Sequence, residues 1–304
     1  MDHRGYLEFL PPQYRADAEP LTDWWGWRGR TVHLLRAVVE DAPVRAMAIH
    51  GAGGHAGMLW PLAAAAKREG IDVTVVDLPL YGRTREPDPA GVRYGDWIAL
   101  LCDLVRRETA ADDRPLVLFG ASMGGMLAYE VAARTDAVAH VVATCLLDPG
   151  DPEARASAMR CSQAGRFAPQ LLGAVDPVLG RLLVPIRWLV PMDRMSLNPE
   201  LSERCARDRM GGGASVPLGF LASFVAYRHT PPEEFVAAPV TLLHPGADRW
   251  TPPELSARFL ARIPGPTTTV LLEGCGHFPI EEPGIGQMAE ALRGIRERLR
   301  GSVR

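Results

Sequence analysis

The sequence predicts an α/β protein, built on a mostly parallel central sheet with helices on both faces. Short runs rich in Val, Ile and Leu alternate with segments of helical periodicity, the pattern of strand–helix–strand units. The later runs are almost continuously apolar, which suits strands covered on both faces better than strands with one face in water. With 304 residues, 47% of them hydrophobic, the chain can bury a large core.

Seven runs read as strands: 31–39, 44–51, 72–79, 115–122, 139–148, 238–248 and 267–277. Helical candidates lie between and after them, in "MLWPLAAAAKREG", "YGDWIALLCDLVRRE", "GGMLAYEVAAR", "PPELSARFLARI" and "GQMAEALRGIRERL". The alternation breaks between Pro149 and Glu234. That stretch has no convincing strand, many prolines and arginines, and apolar helical fragments, so a mostly helical insertion is expected above the sheet. The expected division is 1–148 with 235–304 as the core and 149–234 as the insertion. Near the N-terminus, Trp24, Trp25 and Trp27 are expected to pack in the core or at the sheet edge, with a dimer contact or a lipid contact as the alternatives.

A net charge of −3 and a pI near 6.3 give no bias toward nucleic acid. The five cysteines (Cys102, Cys145, Cys161, Cys205, Cys275) show no paired spacing. This argues against a disulfide framework or a zinc site and for a reducing cytoplasm. Charges scattered through the first twenty residues leave no apolar run for a signal peptide. The most apolar window, Leu182–Met192, is interrupted by Arg187 and two prolines and is too short to span a bilayer.

The stretch "LFGASMGGMLAYEVAAR" carries the chemistry. Ser122 falls where an expected strand turns sharply into an expected helix, with Gly120, Gly124 and Gly125 as the small neighbours such a turn demands. Its hydroxyl is then exposed beside a helix N-terminus, where free N–H groups and the dipole favour developing negative charge. A serine nucleophile needs a base, and the base needs an orienting carboxylate.

With these motifs the chain resembles the α/β-hydrolase family over roughly residues 40 to 295. The resemblance implies the α/β-hydrolase fold, with the insertion as a helical cap, and a serine–acid–histidine order along the chain. Asp248, in "LLHPGADRWTP", then matches the acid loop, and His277, in "LEGCGHFPIEEP", the histidine loop. Asp148, at the end of "CLLD", is a rival acid. By the same resemblance, the N–H groups of Met123 and of Ala52, in "IHGAGGHAG", would hold an oxyanion, while His50 and His55 shape that loop. "DLPLYGRT" departs from the family's D-x-P-G-x-G-x-S and alters the rim more than the catalytic apparatus.

"SMGG" and the position of the cap resemble the monoacylglycerol lipase and lysophospholipase branch. This implies hydrolysis of small apolar esters of medium or long acyl chain, with no metal or organic cofactor. The resemblance also suggests transient contact of the cap with a membrane surface. Leu171, Leu172, Val178, Leu182, Leu183, Trp188 and Leu189 are available to line a cleft. Thioesterase, lactonase and acyltransferase members share the triad, and a ligand-binding protein without turnover is the rival from another class.

Overall fold

The computed structural model describes residues 3–15 and 19–302. Elements are numbered in chain order. The core elements before the insertion are α1 (Arg4–Leu7), β1 (Leu21–Trp27), β2 (Arg30–Ala37), β3 (Arg45–Ile49), α2 (Ala56–Arg68), β4 (Asp72–Val76), α3 (Tyr94–Ala111), β5 (Leu116–Gly120), α4 (Met123–Thr135) and β6 (His140–Ala143). The insertion holds α5 (Pro152–Ala158), α6 (Ser162–Arg166), α7 (Ala168–Leu179), β7 (Leu183–Pro185), α8 (Pro199–Arg207), β8 (Ser215–Pro217) and α9 (Leu218–Ala226). The core resumes with β9 (Val240–Pro245), α10 (Pro253–Leu260), β10 (Thr267–Leu272) and α11 (Gly284–Ser302).

One sheet runs in the order β1-β2-β4-β3-β5-β6-β9-β10. From β4 to β10 every pairing is parallel, while β2 runs antiparallel to both β1 and β4. The central strands β3, β5, β6 and β9 are buried along their whole length, which is why their sequences read as unbroken apolar runs. Two apolar cores result, one on each side of the sheet. Trp97, Leu127 and Tyr129 belong to one, and Trp60, Ile285 and Met288 to the other.

Three expectations need correction. The run 139–148 is a strand only from His140 to Ala143. Beyond Ala143 the chain turns over the start of α4, tied by Thr144 N–H to Gly120 O (3.0 Å) and by Leu146 N–H to Ser256 Oγ (2.9 Å). The insertion is not free of strands, since β7 and β8 pair antiparallel through a register centred on Val184 and Val216. Such a short ribbon leaves too few alternating positions for a sequence signal.

The third correction concerns the tryptophan segment, which is itself strand β1 at the sheet edge. Trp27 is buried and donates its indole N–H to Asp103 (2.9 Å). Trp24 packs on His33 of β2 at 4.7 Å between ring centroids, and the Arg85 guanidinium lies over the Trp24 ring, 5.6 Å from its centroid. Edge packing, one of the arrangements expected for this cluster, is therefore present, on a strand that was not expected.

Candidate active site

Ser122 stands between β5 and α4 with φ +56° and ψ −128°, a conformation that non-glycine residues adopt only when neighbours enforce it. The enforcement is steric. A Cβ on Gly120 would meet Gly124 O at 2.1 Å, one on Gly124 would meet Ile49 O at 2.2 Å, and one on Gly125 would meet Cys145 O at 2.1 Å. These contacts press the first turn of α4 against β3, β5 and the segment after β6, so the turn has no room to relax. Thr144 Oγ1 accepts the Ser122 N–H (2.9 Å) and fixes the strained peptide from below.

His277 follows β10 and Asp248 follows β9, each in a loop at a strand's carboxyl end. The loops bring the side chains into line. His277 Nδ1 lies 2.8 Å from Asp248 Oδ2, and His277 Nε2 lies 2.9 Å from Ser122 Oγ. Both His277 and Asp248 have almost no exposed side-chain surface, whereas Ser122 is partly open. Burial alone would raise the Asp248 pKa. The facing His277, the Thr251 hydroxyl (2.6 Å) and the Trp250 N–H (2.7 Å) overcome it and hold the carboxyl at about 2. An ionised Asp248 requires the proton on His277 Nδ1, which leaves the Nε2 lone pair to accept from the serine hydroxyl.

Three partners of this chain were not readable in advance. Thr251 donates to Asp248, and its oxygen stands 3.4 Å from His277 Nδ1. Trp250 lays its ring 4.4 Å from the imidazole and donates its indole N–H to Ala158 O of α5 (3.1 Å). Cys145 is buried beneath Ser122; burial and then the charge of Asp248 push its thiol well up, so it stays neutral. The family-like "G-A-D-R-W-T-P" segment contains the first two, but their roles depend on a tight turn around Asp248 that spacing alone does not reveal.

Asp148, the rival acid, is elsewhere. Its carboxylate accepts from Gly150 N–H (2.8 Å) and faces His229 Nδ1 at 3.8 Å. The early turn out of the sheet after Ala143 is what diverts it.

Ala52 and Met123 border the same cavity as Ser122, and neither backbone N–H is engaged in a hydrogen bond among the described residues. The loop of Ala52 presses on the serine turn, since a Cβ on Gly51 would come within 2.8 Å of Met123 N and 3.0 Å of Ala121 O. His50 and His55 do shape this loop. His50 bonds Gly51 O (2.8 Å) through Nδ1 and accepts Leu78 N–H (3.0 Å) at Nε2, and burial lowers its pKa to about 4. His55 caps α2 at Gly57 N–H and donates to Asp208 of the insertion (2.9 Å), which also accepts from Tyr6 OH (2.7 Å).

The departure in "DLPLYGRT" has a backbone cost. Leu80 takes φ +83°, at the place where the family's pattern carries glycine. Asp77 in the same segment is wholly buried and accepts from Ala56 N–H (2.6 Å), His33 Nδ1 (2.6 Å) and Arg83 N–H (2.8 Å).

A cavity of about 270 Å³ opens above Ser122, and nearly all of its wall is apolar. Of the stripe expected to line it, Leu171, Leu172 and Leu189 do so. Val178, Leu182, Leu183 and Trp188 instead point outward, with Val178 85% and Trp188 67% exposed. α9 adds further apolar wall residues, chiefly Phe220, Leu221 and Phe224, and the sequence did not distinguish this helix from the rest of the insertion.

Comparison with known proteins agrees with this architecture. A segment of the AMB antimetabolite synthetase AmbE of Pseudomonas aeruginosa is 35% identical over 127 residues, covering 41% of this chain and 6% of that protein. The chain thus aligns with only a small fraction of that relative's length. The monoglyceride lipase of Saccharomyces cerevisiae superposes with a TM-score of 0.75 at 15% identity, over 92% of this chain and 96% of that one. The monoacylglycerol lipase of Paleococcus ferrophilus gives 0.67 at 21% identity, over 92% and 99%. At such identities the likeness is one of fold. The profile of the alpha/beta hydrolase family matches residues 47–291, and on that match the chain belongs to the α/β-hydrolase family.

Proposed function

We propose that the protein is a serine hydrolase that cleaves carboxylic esters through an acyl-enzyme on Ser122. The observation that carries this reading is the continuous chain Asp248–His277–Ser122 ending at the floor of an apolar cavity. Ser122 Oγ attacks the ester carbonyl while His277 Nε2 takes its proton, and Asp248 stabilises the resulting imidazolium. The N–H groups of Ala52 and Met123 hold the oxyanion, each donor being worth about 3–4 kcal/mol by comparison with measured oxyanion holes. His277 then returns the proton to the leaving alkoxide. Water repeats the sequence, releasing the acid and restoring the serine.

The apolar wall supports a medium or long acyl chain, as in monoacylglycerols or lysophospholipids. Residues 149–234 serve as the cap and 1–148 with 235–304 as the hydrolase core. Most of the exposed large apolar side chains fall between Phe167 and Trp188 on this cap, next to the cavity wall at Leu171. That surface supports transient contact with a lipid surface. No helix among the described residues is long and apolar enough to cross a membrane. The match to a segment of an antimetabolite synthetase supports a second reading, in which the acyl compound is a specialised metabolite held as an ester, thioester or lactone.

Initial rates on p-nitrophenyl esters from acetate to palmitate, with Ser122→Ala as control, test the proposal. Turnover that peaks at long chains and vanishes in Ser122→Ala is expected. A peak at acetate would return the apolar wall to packing, and a folded protein inert on every chain length would remove the ester reading.

A further inference from the structure

Apart from Ser122 and Thr251 at its floor, the cavity wall is apolar with one exception. Arg155 of α5 lines it, 9% exposed, among Ala154, Ala158, Ala164 and Ala168. A guanidinium so deeply buried ordinarily faces a carboxylate, because an unpaired charge out of water is costly. Arg155 has none. Its hydrogen bonds go to backbone carbonyls: Nη1 to Pro149 O (2.5 Å), Nε to Gly165 O (3.3 Å) and Nη2 to Arg166 O (3.4 Å). Three of its five donors are used, so one N–H on each terminal nitrogen has no partner among the described residues.

The nearby acids are committed elsewhere. Asp151 caps α5 at Glu153 N–H and pairs with Arg258, while Asp148 faces His229 and Gly150. The neighbouring charge that Arg155 feels most is another cation, Arg228, which makes no ion pair among the described residues. The packing also holds Arg155 in place, since a Cβ on Gly165 would strike Arg155 O at 2.4 Å. Asp151 and Asp148 act on Arg155 only from beyond ion-pair distance, so a buried guanidinium in the cavity wall, with Arg228 nearby, has no paired carboxylate among the described residues.

We infer that the substrate combines an apolar chain with an anionic oxyacid group, a carboxylate or a phosphate, which pairs with Arg155 while Arg228 adds long-range attraction. The inference rests on the ester-hydrolase reading and narrows it. The anion has two possible sources, the far end of the acyl chain or the leaving group. A planar guanidinium with two free N–H groups suits either, since both present oxygen pairs.

The test compares kcat/KM within two pairs of esters of equal chain length. p-Nitrophenyl hydrogen sebacate against p-nitrophenyl decanoate reads the acyl side. 1-Decanoylglycerol 3-phosphate against 1-decanoylglycerol reads the leaving-group side. In one pair the wild type is expected to favour the anionic ester, and Arg155→Met to reduce that preference about 10- to 100-fold. Arg155→Lys keeps most of the preference although it loses the carbonyl bonds, and Arg228→Gln lowers it only a few-fold. A purely structural arginine would lower both members of each pair together, in Met and Lys variants alike, and that result overturns the inference.

Wild type that hydrolyses the neutral esters with no anionic preference in either pair also overturns it, leaving the ester reading intact. If all four esters are inert, calorimetric titration with decanoate and with decan-1-ol decides the matter without turnover. Tighter binding of decanoate that is lost in Arg155→Met supports the subsite, and equal loss or no difference removes it.

Discussion

Asp248 receives three protein donors besides His277: the Thr251 hydroxyl and the N–H groups of Trp250 and Thr251. They leave its carboxylate one imidazole-facing oxygen and one orientation. Asp248→Asn keeps the shape but presents an amide N–H or a neutral oxygen to Nδ1, so the tautomer that accepts the serine proton is no longer enforced. By comparison with the same change in a serine protease, kcat on a p-nitrophenyl ester is expected to fall about 10⁴-fold with the thermal midpoint little altered. Thr251→Val removes one charge-assisted bond and leaves the rest, and its kcat is expected to fall about tenfold at unchanged KM. A Thr251→Val enzyme as active as wild type would show that the hydroxyl only fills space. Among single residues, Ser122, Asp248 and His277 were legible because a nucleophile turn and two loop motifs each carry several fixed letters. Thr251, Thr144 and Trp250 were not, since a hydroxyl or indole that supports another side chain leaves no spacing of its own.

At the level of elements, the serine turn is a junction of three backbones held at glycine separations. Gly124→Ala places a methyl 2.2 Å from Ile49 O, which belongs to a central strand and cannot retreat. The cost is expected to exceed about 3 kcal/mol, read as loss of soluble protein or a steep drop in urea midpoint. Gly173→Ala, with open space around its Cβ, is the matched control and should be silent or slightly stabilising. The strand–helix alternation was readable because parallel central strands are buried on both faces and so are apolar throughout. Strand β1 escaped notice because Asp23 and Gly26 break its apolar pattern and only Trp27 is buried, and β6 was read too long because Cys145 and Leu146 remain buried after leaving the sheet. Burial and strand geometry part company there, and a single sequence reports burial. The same limit explains the cap, where outward Val178 and Trp188 and inward Phe220 are equally apolar in composition.

Over the whole molecule, acid acts in two stages. His50 and His140 have folded pKa values of about 4, each lowered by burial, so the unfolded chain binds protons first as the pH falls below the ordinary histidine range. Their contribution to stability is complete above about pH 6.5 and is lost as the pH falls through 4, roughly 3 kcal/mol for each buried ring. Asp248, held at about 2, contributes in the same sense: its stabilisation is complete above its unfolded value and is lost as the pH falls through 2. Thermal midpoints measured from pH 7.5 to 2.5 are therefore expected to fall first between 6.5 and 4 and again below 4. A flat midpoint from 7 to 4.5 would contradict the buried neutral histidines. The bond network around Asp208 bears on motion at this same scale. Asp208 holds Tyr6 and His55, and Met210 O accepts Gly82 N–H (2.9 Å), so the cap is fastened to the core here, as it is at Trp250 and Ala158, besides its two chain connections. A plate on two hinges can swing, but one pinned at a third point can only flex. Asp208 and Met210 thus tie the insertion to His55 and Gly82, and through His55 to the loop that carries Ala52.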